Sequence, residues 1–389
     1  MASVTMDTVI RASRLITPDD DLSPGWVGVR GGQIEAVGLG AGPADVPAVE
    51  LGPLTLVPGF VDVHVHGGGG FSLMTRREED VLRYARWVPS TGVTSFLATI
   101  CADSVEIGRE CLDLVTGLDS AGAPGAEILG VNLEGPFVSP DRLGALPGSW
   151  AIPPDLDVFG GFLAAGRGKL RLMTIAPELQ GAGEVIDAAI RSGVRVSVGH
   201  SDAGFDDASG AFAAGASHVT HAFNAMRPLH HRDPGVIGAA LQADDVTVEI
   251  IADGVHLHPA TIEMLVRAFG PSRVALVTDA VAPAGLDAGS FRIGGREARL
   301  DGGRIKLPDG TIAGSAATMD GLLRNVVEWG CAPLADAVRM LSAVPAAIAG
   351  CGDCKGRIAA GYDADLVALT PGLEVACAWV RGEQVFRAA

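Results

Sequence analysis

Positive charge is in short supply in this sequence. Its 389 residues carry 29 Lys and Arg against 46 Asp and Glu, a formal net charge of -17. Nucleic acids and anionic membrane surfaces are held through basic patches, so neither is expected as a partner. An anionic small molecule would need a local basic cluster. Long apolar runs are also missing, since nothing approaches the ~20 consecutive residues of a membrane span. The opening stretch, MASVTMDTVIRASRLITPDD, lacks the ordered basic region, apolar region and cleavage site of a secretory leader, and a cytoplasmic protein is expected. The cysteines (101, 111, 331, 351, 354 and 377) form no regular framework. Cys351 and Cys354 make one C-x-x-C without the second pair of a zinc ribbon, and they read as reduced structural thiols.

What is present is a globular composition, 48% hydrophobic and 19% charged, and length enough for a large domain with a smaller one. From Pro58 to Ala282 short apolar runs alternate with polar or helical segments. The runs are FVDVHVH (60–66), TSFLAT (94–99), EILGVNLE (127–134), RLMTIAPE (171–178), VRVSVGH (194–200), SHVTHAF (217–223), VTVEIIAD (246–253) and RVALVTD (273–279). Their near-continuous hydrophobicity suits strands buried on both faces. EDVLRYARWV (79–88) and EVIDAAIRSG (184–193) have helical spacing, the second with Gly193 where a helix C-terminus is expected. Eight such units predict a (β/α)8 TIM barrel. No G-x-G-x-x-G opens a helix after the first strand, which argues against a dinucleotide-binding sheet.

Both ends differ from the middle. VIRASRLI, WVGVRGGQIEAVG and VELGPLTLV near the start, and DADLVAL and VACAWVRGEQVF near the end, read as antiparallel strands with tight turns. Neither end can bury a core alone. Residues 1–57 and 355–389 are therefore expected to pair into one small β-sandwich beside a barrel of residues 58–354, with the helical stretch 319–350 closing the barrel.

All nine histidines lie in the barrel region, most of them at or just past strand C-termini, the face where such barrels carry their active sites. His64 and His66 form H-x-H on the first strand, so both side chains share one face and could ligate one ion or one each of a pair. Satisfied core histidines are the alternative. The Gly67–Gly70 run after them allows close backbone approach. Glu134 ends the third strand in N-L-E-G-P, where an unpaired buried carboxylate would cost several kcal/mol (~2–7 for an uncompensated polar group, more for a charge). A metal ligand explains it, and an ion pair with a cation at the mouth is the other reading. With His200 and His221, which end strands five and six, it makes a hydrolytic set with a position left for water. His218, three residues before His221, faces the other way and reads as structural. Asp279 ends strand eight, where it can take a proton from a metal-activated water and pass it to a leaving nitrogen. A helix cap is the alternative.

The missing basic cluster is FNAMRPLHHRDPG (223–235), which gathers Arg227, His230, His231 and Arg232 on one loop. Arginine there suits a phosphate. His256, in IADGVHLHP, follows strand seven, where TIM barrels often hold a phosphate. A solvated charge run is the competing reading.

These motifs resemble one family, the N-acetylglucosamine-6-phosphate deacetylases of the amidohydrolase superfamily. The resemblance covers PGFVDVHVHGGGG (58–70), NLEGPFVSP (132–140), VGHSDA (198–203), THAFNAMRPLHHRDPG (220–235), IADGVHLHP (251–259), LVTDA (276–280), AGSAATMD (313–320) and KGRIAAGYDADLVAL (355–369). It implies hydrolytic deacetylation of N-acetylglucosamine-6-phosphate to glucosamine-6-phosphate and acetate. Glu134, His200 and His221 would hold the main divalent metal and Asp279 would be the acid/base. His64 and His66 would hold a second ion in members that keep one. Zinc is expected ahead of iron or another divalent ion. Asn224 and Ala225 match a backbone-contact pair for the substrate, Arg232 and His256 match phosphate readers that work across a homodimer interface, and Ile312, Ala313 and Gly314 match a closing loop. Asp253 lies in the His256 stretch. Gly144-Ala145-Leu146 departs from the pattern: members carry histidine or glutamine where Leu146 stands, and leucine cannot donate to a carbonyl or hydroxyl. The departure bears on the sugar, so the N-acetylgalactosamine-6-phosphate epimer stays open. A cyclic-amidase-like hydrolase would place a lysine at the end of a middle strand, and Lys169 instead precedes strand four. An inactive scaffold would have no physical need for the retained ligands and Asp279.

Overall fold

The structure is a computed structural model that describes residues 6–17, 20–118, 125–293 and 296–389. Eight strands form one parallel sheet in chain order: β1 (Phe60–Val65), β2 (Val93–Ile100), β3 (Glu127–Glu134), β4 (Leu170–Ile175), β5 (Arg195–Val198), β6 (His218–Val219), β7 (Thr247–Ile250) and β8 (Val274–Leu276). Every residue of β1 and β2 is buried, Asp62 and His64 included, as expected for mainly apolar strands in a sheet covered on both faces. Helices Glu78–Trp87, Val105–Gly117, Leu156–Gly166, Ala182–Arg191, Phe205–Ala213, Gly235–Gln242 and Pro259–Phe269 lie between the strands. The fold is a TIM barrel.

One helix shows why these segments coil. In Ala182–Arg191 the buried residues are Ala182, Val185, Ile186 and Ala189, a spacing of three and four that makes one apolar stripe. Burying Val185 and Ile186 contributes about 1.5–3 kcal/mol each. Gly193, at φ 75°, carries the chain out of the helix into β5. A charge at Val185 would break this contact.

β1 and β8 meet differently from the other neighbours. The Asp279 amide donates to the His64 carbonyl at 2.9 Å, and the His66 amide donates to the Ala280 carbonyl at 2.8 Å. Thr278 Oγ1 donates to Asp62 Oδ2 at 2.6 Å just below them. The barrel therefore closes at the height where candidate site residues leave their strands.

The chain ends build two further sheets. One contains Thr8–Ala12, Gly25–Arg30, Gln33–Leu39 and Ala48–Glu50. The other joins Arg14–Ile16, Asp21–Leu22 and Thr55–Pro58 to Leu366–Leu369, Val375–Val380 and Glu383–Arg387. Thr55–Pro58 pairs antiparallel with Leu366–Leu369. Ile10, Val27 and Ile34 of the first sheet pack with Leu15, Leu56, Leu366 and Trp379 of the second in one apolar cluster. Lys355 ties this region to the barrel. Its buried ammonium lies 2.8 Å from Glu127 at the start of β3, 2.9 Å from Asp363 and 2.8 Å from Asp365. Burial works to lower the Lys355 pKa, but Asp365 and Glu127 outweigh it and raise it, so the side chain stays charged.

One element was not expected. Gly289–Ile293, Arg296–Asp301, Arg304–Lys306 and Ile312–Ser315 form an antiparallel four-stranded flap after β8. Ala298, Leu300, Ile305 and Leu307 pack with Val281 and Ala313, which brings Ile312–Gly314 to the barrel mouth. The helices Met319–Glu328, Leu334–Leu341 and Ala343–Ile348 follow. Among the described residues, no helix is long and apolar enough to cross a membrane.

Candidate active site

A cavity of about 280 Å³ opens at the C-terminal end of the barrel. His66, Glu134, His200, His221 and Asp279 line its floor, Ala145, Asn224, Ala225 and His256 its wall, and Ile312, Ala313 and Gly314 its lid side. His64 is fully buried beneath this floor. Asp253 lies behind His256: its Oδ2 accepts from the ring Nδ1 at 2.8 Å, and its Oδ1 accepts from the Val255 and His256 amides. Arg232 is exposed and does not line the cavity. Its guanidinium lies 2.7 Å from His231 Nε2 instead.

Strand ends place these groups, but several sit beyond the strand proper. β5, β6 and β8 stop at Val198, Val219 and Leu276, and His200, His221 and Asp279 follow with positive φ of 46°, 27° and 47°. Such backbone costs a non-glycine residue about 1–3 kcal/mol, and here it swings each side chain over the barrel axis. Glu134 remains in β3, and the fully buried Trp150 donates from Nε1 to its carbonyl at 2.7 Å.

Glu134 Oε1 lies 3.0 Å from His200 Nε2 and 3.2 Å from His221 Nε2, and the two imidazole nitrogens are 3.0 Å apart. About 3.3 Å is the edge of a tetrahedron of ligands at zinc–nitrogen and zinc–oxygen bond lengths. Protonation sharpens the point. His200 Nδ1 faces the Arg142 carbonyl at 2.9 Å, and a carbonyl only accepts, so Nδ1 carries the hydrogen. The Nε2 of the neutral ring is then a bare lone pair aimed at a carboxylate. His64 repeats the pattern: Nδ1 faces Glu249 Oε2 at 2.8 Å, and Nε2 is buried without a hydrogen-bond partner, 3.4 Å from Glu134 Oε1 and 3.6 Å from Asp279 Oδ1. His66 Nε2 lies 3.2 Å from Glu134 Oε2 and 3.3 Å from Asp279 Oδ1. Lone pairs gathered this way repel unless a cation lies among them. Glu134 with His200 and His221, and His64 with His66 and Asp279, each fit a divalent ion.

The charges agree. Burial works to raise the Glu134 pKa, but His64, His200 and His221 hold its carboxyl well below the ordinary range. Burial acts the same way on Asp279, and His66 and His64 keep it lowered and therefore ionised. For His64 burial opposes protonation, and Glu249 and Glu134 outweigh it to raise the pKa well above the ordinary value, so a proton occupies Nε2 wherever no metal cation takes that place.

Glu249 belongs to the site although it stands at no strand end of the sequence pattern. This fully buried carboxylate accepts from the His221 amide at 3.0 Å, orients His64, and lies 3.0 Å from His218 Nε2, whose Nδ1 meets Thr247 Oγ1 at 2.6 Å. The signal was present in VTVEIIAD, because a carboxylate inside a strand buried on both faces must have partners. Cys101, Met74 and Thr311 also line the cavity, as do Gly144 and Leu146. Leu146 presents only an apolar side chain there.

Arg142, Asp202, Arg227 and Asp233 link two loops beside the site. Arg142 donates to Asp202 Oδ1 at 2.6 Å, and Arg227 reaches Asp202 Oδ2 at 2.8 Å and Asp233 at 3.0 Å. The wall at 144–146 and the basic loop are thereby held together.

The amidohydrolase family profile matches residues 55–385 of the chain. The N-acetylglucosamine-6-phosphate deacetylase of Bacillus subtilis (strain 168) is 36% identical over 386 residues, covering 97% of each sequence. The N-acetylgalactosamine-6-phosphate deacetylase of Escherichia coli O157:H7 is 34% identical over 387 residues, covering 97% of this chain and 99% of that protein. Among solved structures, a mutant N-acetyl-D-glucosamine-6-phosphate deacetylase from Mycobacterium smegmatis, in complex with N-acetyl-D-glucosamine-6-phosphate, superposes with a TM-score of 0.93 at 36% identity. It covers 98% of this chain and 100% of that one.

Proposed function

The chain belongs to the amidohydrolase family, a family of metal-dependent hydrolases, and from that premise we propose that it deacetylates N-acetylglucosamine-6-phosphate to glucosamine-6-phosphate and acetate. One observation carries the reading: Glu134, His200 and His221 converge with their lone pairs on one point at the floor of the cavity. We assign these three to the main divalent ion and His64 and His66, with Asp279, to a second, with zinc ahead of iron. Such an ion supplies Lewis-acid charge and lowers the pKa of a bound water.

Asp279 starts the cycle ionised and takes the proton of the attacking water at its carboxylate. It then returns that proton to the nitrogen as the carbon–nitrogen bond breaks, so that water and amide become acetate and amine. Asn224 and Ala225 orient the sugar from the wall, and Ile312, Ala313, Gly314 and Ala145 exclude water around the acetamide. His256, held by Asp253 through Nδ1, turns its other nitrogen to the phosphate. Arg232 is proposed to act on the phosphate of a neighbouring subunit in a homodimer, which accounts for its exposure in the single chain. Residues 1–57 and 355–389 are read as the supporting domain and 58–354 as the hydrolase domain, in a cytoplasmic enzyme.

A second reading is the galacto epimer. The Escherichia coli relative named for that sugar is almost as similar as those named for the gluco form, and Leu146 removes a polar contact from the wall. Acetate release from both N-acetylated hexosamine 6-phosphates and from both unphosphorylated sugars is the test. Release from the gluco phosphate foremost supports the first reading, release from the galacto phosphate foremost supports the second, and release from none overturns both.

A further inference from the structure

On the reading that His64 and His66, with Asp279, hold a second divalent ion, we propose that Cys101 supplies a thiolate ligand to that same ion, giving a sulfur-containing position that favours zinc or cadmium over manganese or magnesium.

Topology brings Cys101 there. β2 lies between β1 and β3, with Ala98 in register with Val65 and Ile100 in register with Leu133. The next residue along each of these strands is Cys101, His66 and Glu134. Donor atoms of these three lie within 4.8 Å of one another. Cys101 lines the cavity, whereas Cys111, Cys331 and Cys377 are buried among apolar side chains. Its Sγ meets Met74 Sδ at 3.2 Å, so a second polarisable sulfur backs the position. A second observation comes from the fully buried His64 Nε2: it has no hydrogen-bond partner and lies 3.4 Å from Glu134 Oε1 and 3.6 Å from Asp279 Oδ1, two carboxylates that His66 Nε2, shared with the Cys101 group, also faces.

Imidazole and carboxylate ligands alone do not discriminate strongly among divalent ions, and thiolate shifts preference toward soft ones. A cysteine kept only for packing would show no such selectivity.

The test uses the full chain reconstituted with cobalt(II). A thiolate-to-cobalt charge-transfer band in the near ultraviolet is expected, lost in Cys101→Ser and retained when Cys351 and Cys354 are both changed to Ser. Zinc affinity at one position should fall about tenfold or more in Cys101→Ser, since even indirect partners of ligands are worth 10–100-fold, while manganese affinity changes little. Should the variant not fold, iodoacetamide followed by peptide mass mapping reads the wild type. Cys101 should alkylate in the metal-free chain and be protected by zinc. Bound ions without the band, a band that survives in Cys101→Ser, or equal alkylation with and without zinc would overturn the Cys101 assignment alone. A wild type that binds no divalent ion would overturn the metal reading and this assignment with it.

Discussion

Replacing Glu249 with Gln isolates one electrostatic contribution to ion binding. The carboxylate accepts from the His64 ring at 2.8 Å and the His221 amide at 3.0 Å with one oxygen, and faces His218 Nε2 at 3.0 Å with the other. In Glu249→Gln the amide oxygen keeps the first two contacts. Its NH2 then meets His218, whose ring can move its hydrogen to Nδ1 and donate to Thr247 Oγ1, 2.6 Å away. The hydrogen-bond count survives and one buried negative charge behind the proposed ligand imidazole of His64 is lost. Such a carboxylate raises ligand basicity, and removing it typically costs 10–100-fold in metal affinity, about 1.4–2.7 kcal/mol. Zinc competition against a chromophoric chelator, with elemental analysis, measures this. Thermal melts of the metal-free proteins should change little, because removing a buried charge while keeping its contacts need not destabilise. Zinc affinity within about twofold of wild type, in a protein that melts normally, would refute the reasoning.

Three further outcomes are expected. Asp279→Asn should lower turnover about 10²–10⁴-fold, the range for loss of an acid/base group; activity within tenfold of wild type at full ion content would remove Asp279 from that role. Lys355→Met leaves Glu127, Asp363 and Asp365 gathered around no central cation and should cost about 3–5 kcal/mol in a denaturant titration, and an unchanged midpoint would show that Arg381 suffices. Burial lowers the His256 pKa, but Asp253 outweighs it and lifts it above 6.5. The His256–Asp253 pairing is therefore full below that pH and fades as pH rises through the lifted value, so KM for the phosphorylated sugar should climb there, and a KM profile unchanged in His256→Gln would contradict it.

The eight barrel strands were legible because burial on both faces leaves continuous apolar runs. Their ends were less so: a positive φ at His200, His221 and Asp279 leaves no mark on hydrophobicity, and the runs were read past the points where the strands stop. The flap at 289–315 was missed because its strands, such as REARLD, alternate polar with apolar residues and bury one face only. The basic loop was recognisable by composition, but sequence alone does not say that Arg232 stands outside the cavity of its own chain. Glu249 is legible only as a charge inside an apolar run, a weaker mark than the strand-end positions of the other site residues.

Barrel closure and the proposed chemistry share the Asp279 segment, yet they use different atoms. The seam between β1 and β8 is made by the Asp279 amide, the Ala280 carbonyl and the backbone of His64 and His66, while the Asp279 carboxylate faces the cavity floor. Asp279→Asn changes only the side chain and leaves the seam intact. A substitution that needed φ near -65°, such as Asp279→Pro, would remove both the amide donor and the backbone conformation, recorded here at φ 47°. Loss of turnover without loss of fold in the first, and loss of both in the second, follows from that division. It also explains why an acid at this position tolerates a strained backbone: the strain lies in the hydrogen-bonded seam, and the seam holds the carboxylate beside His64 and His66.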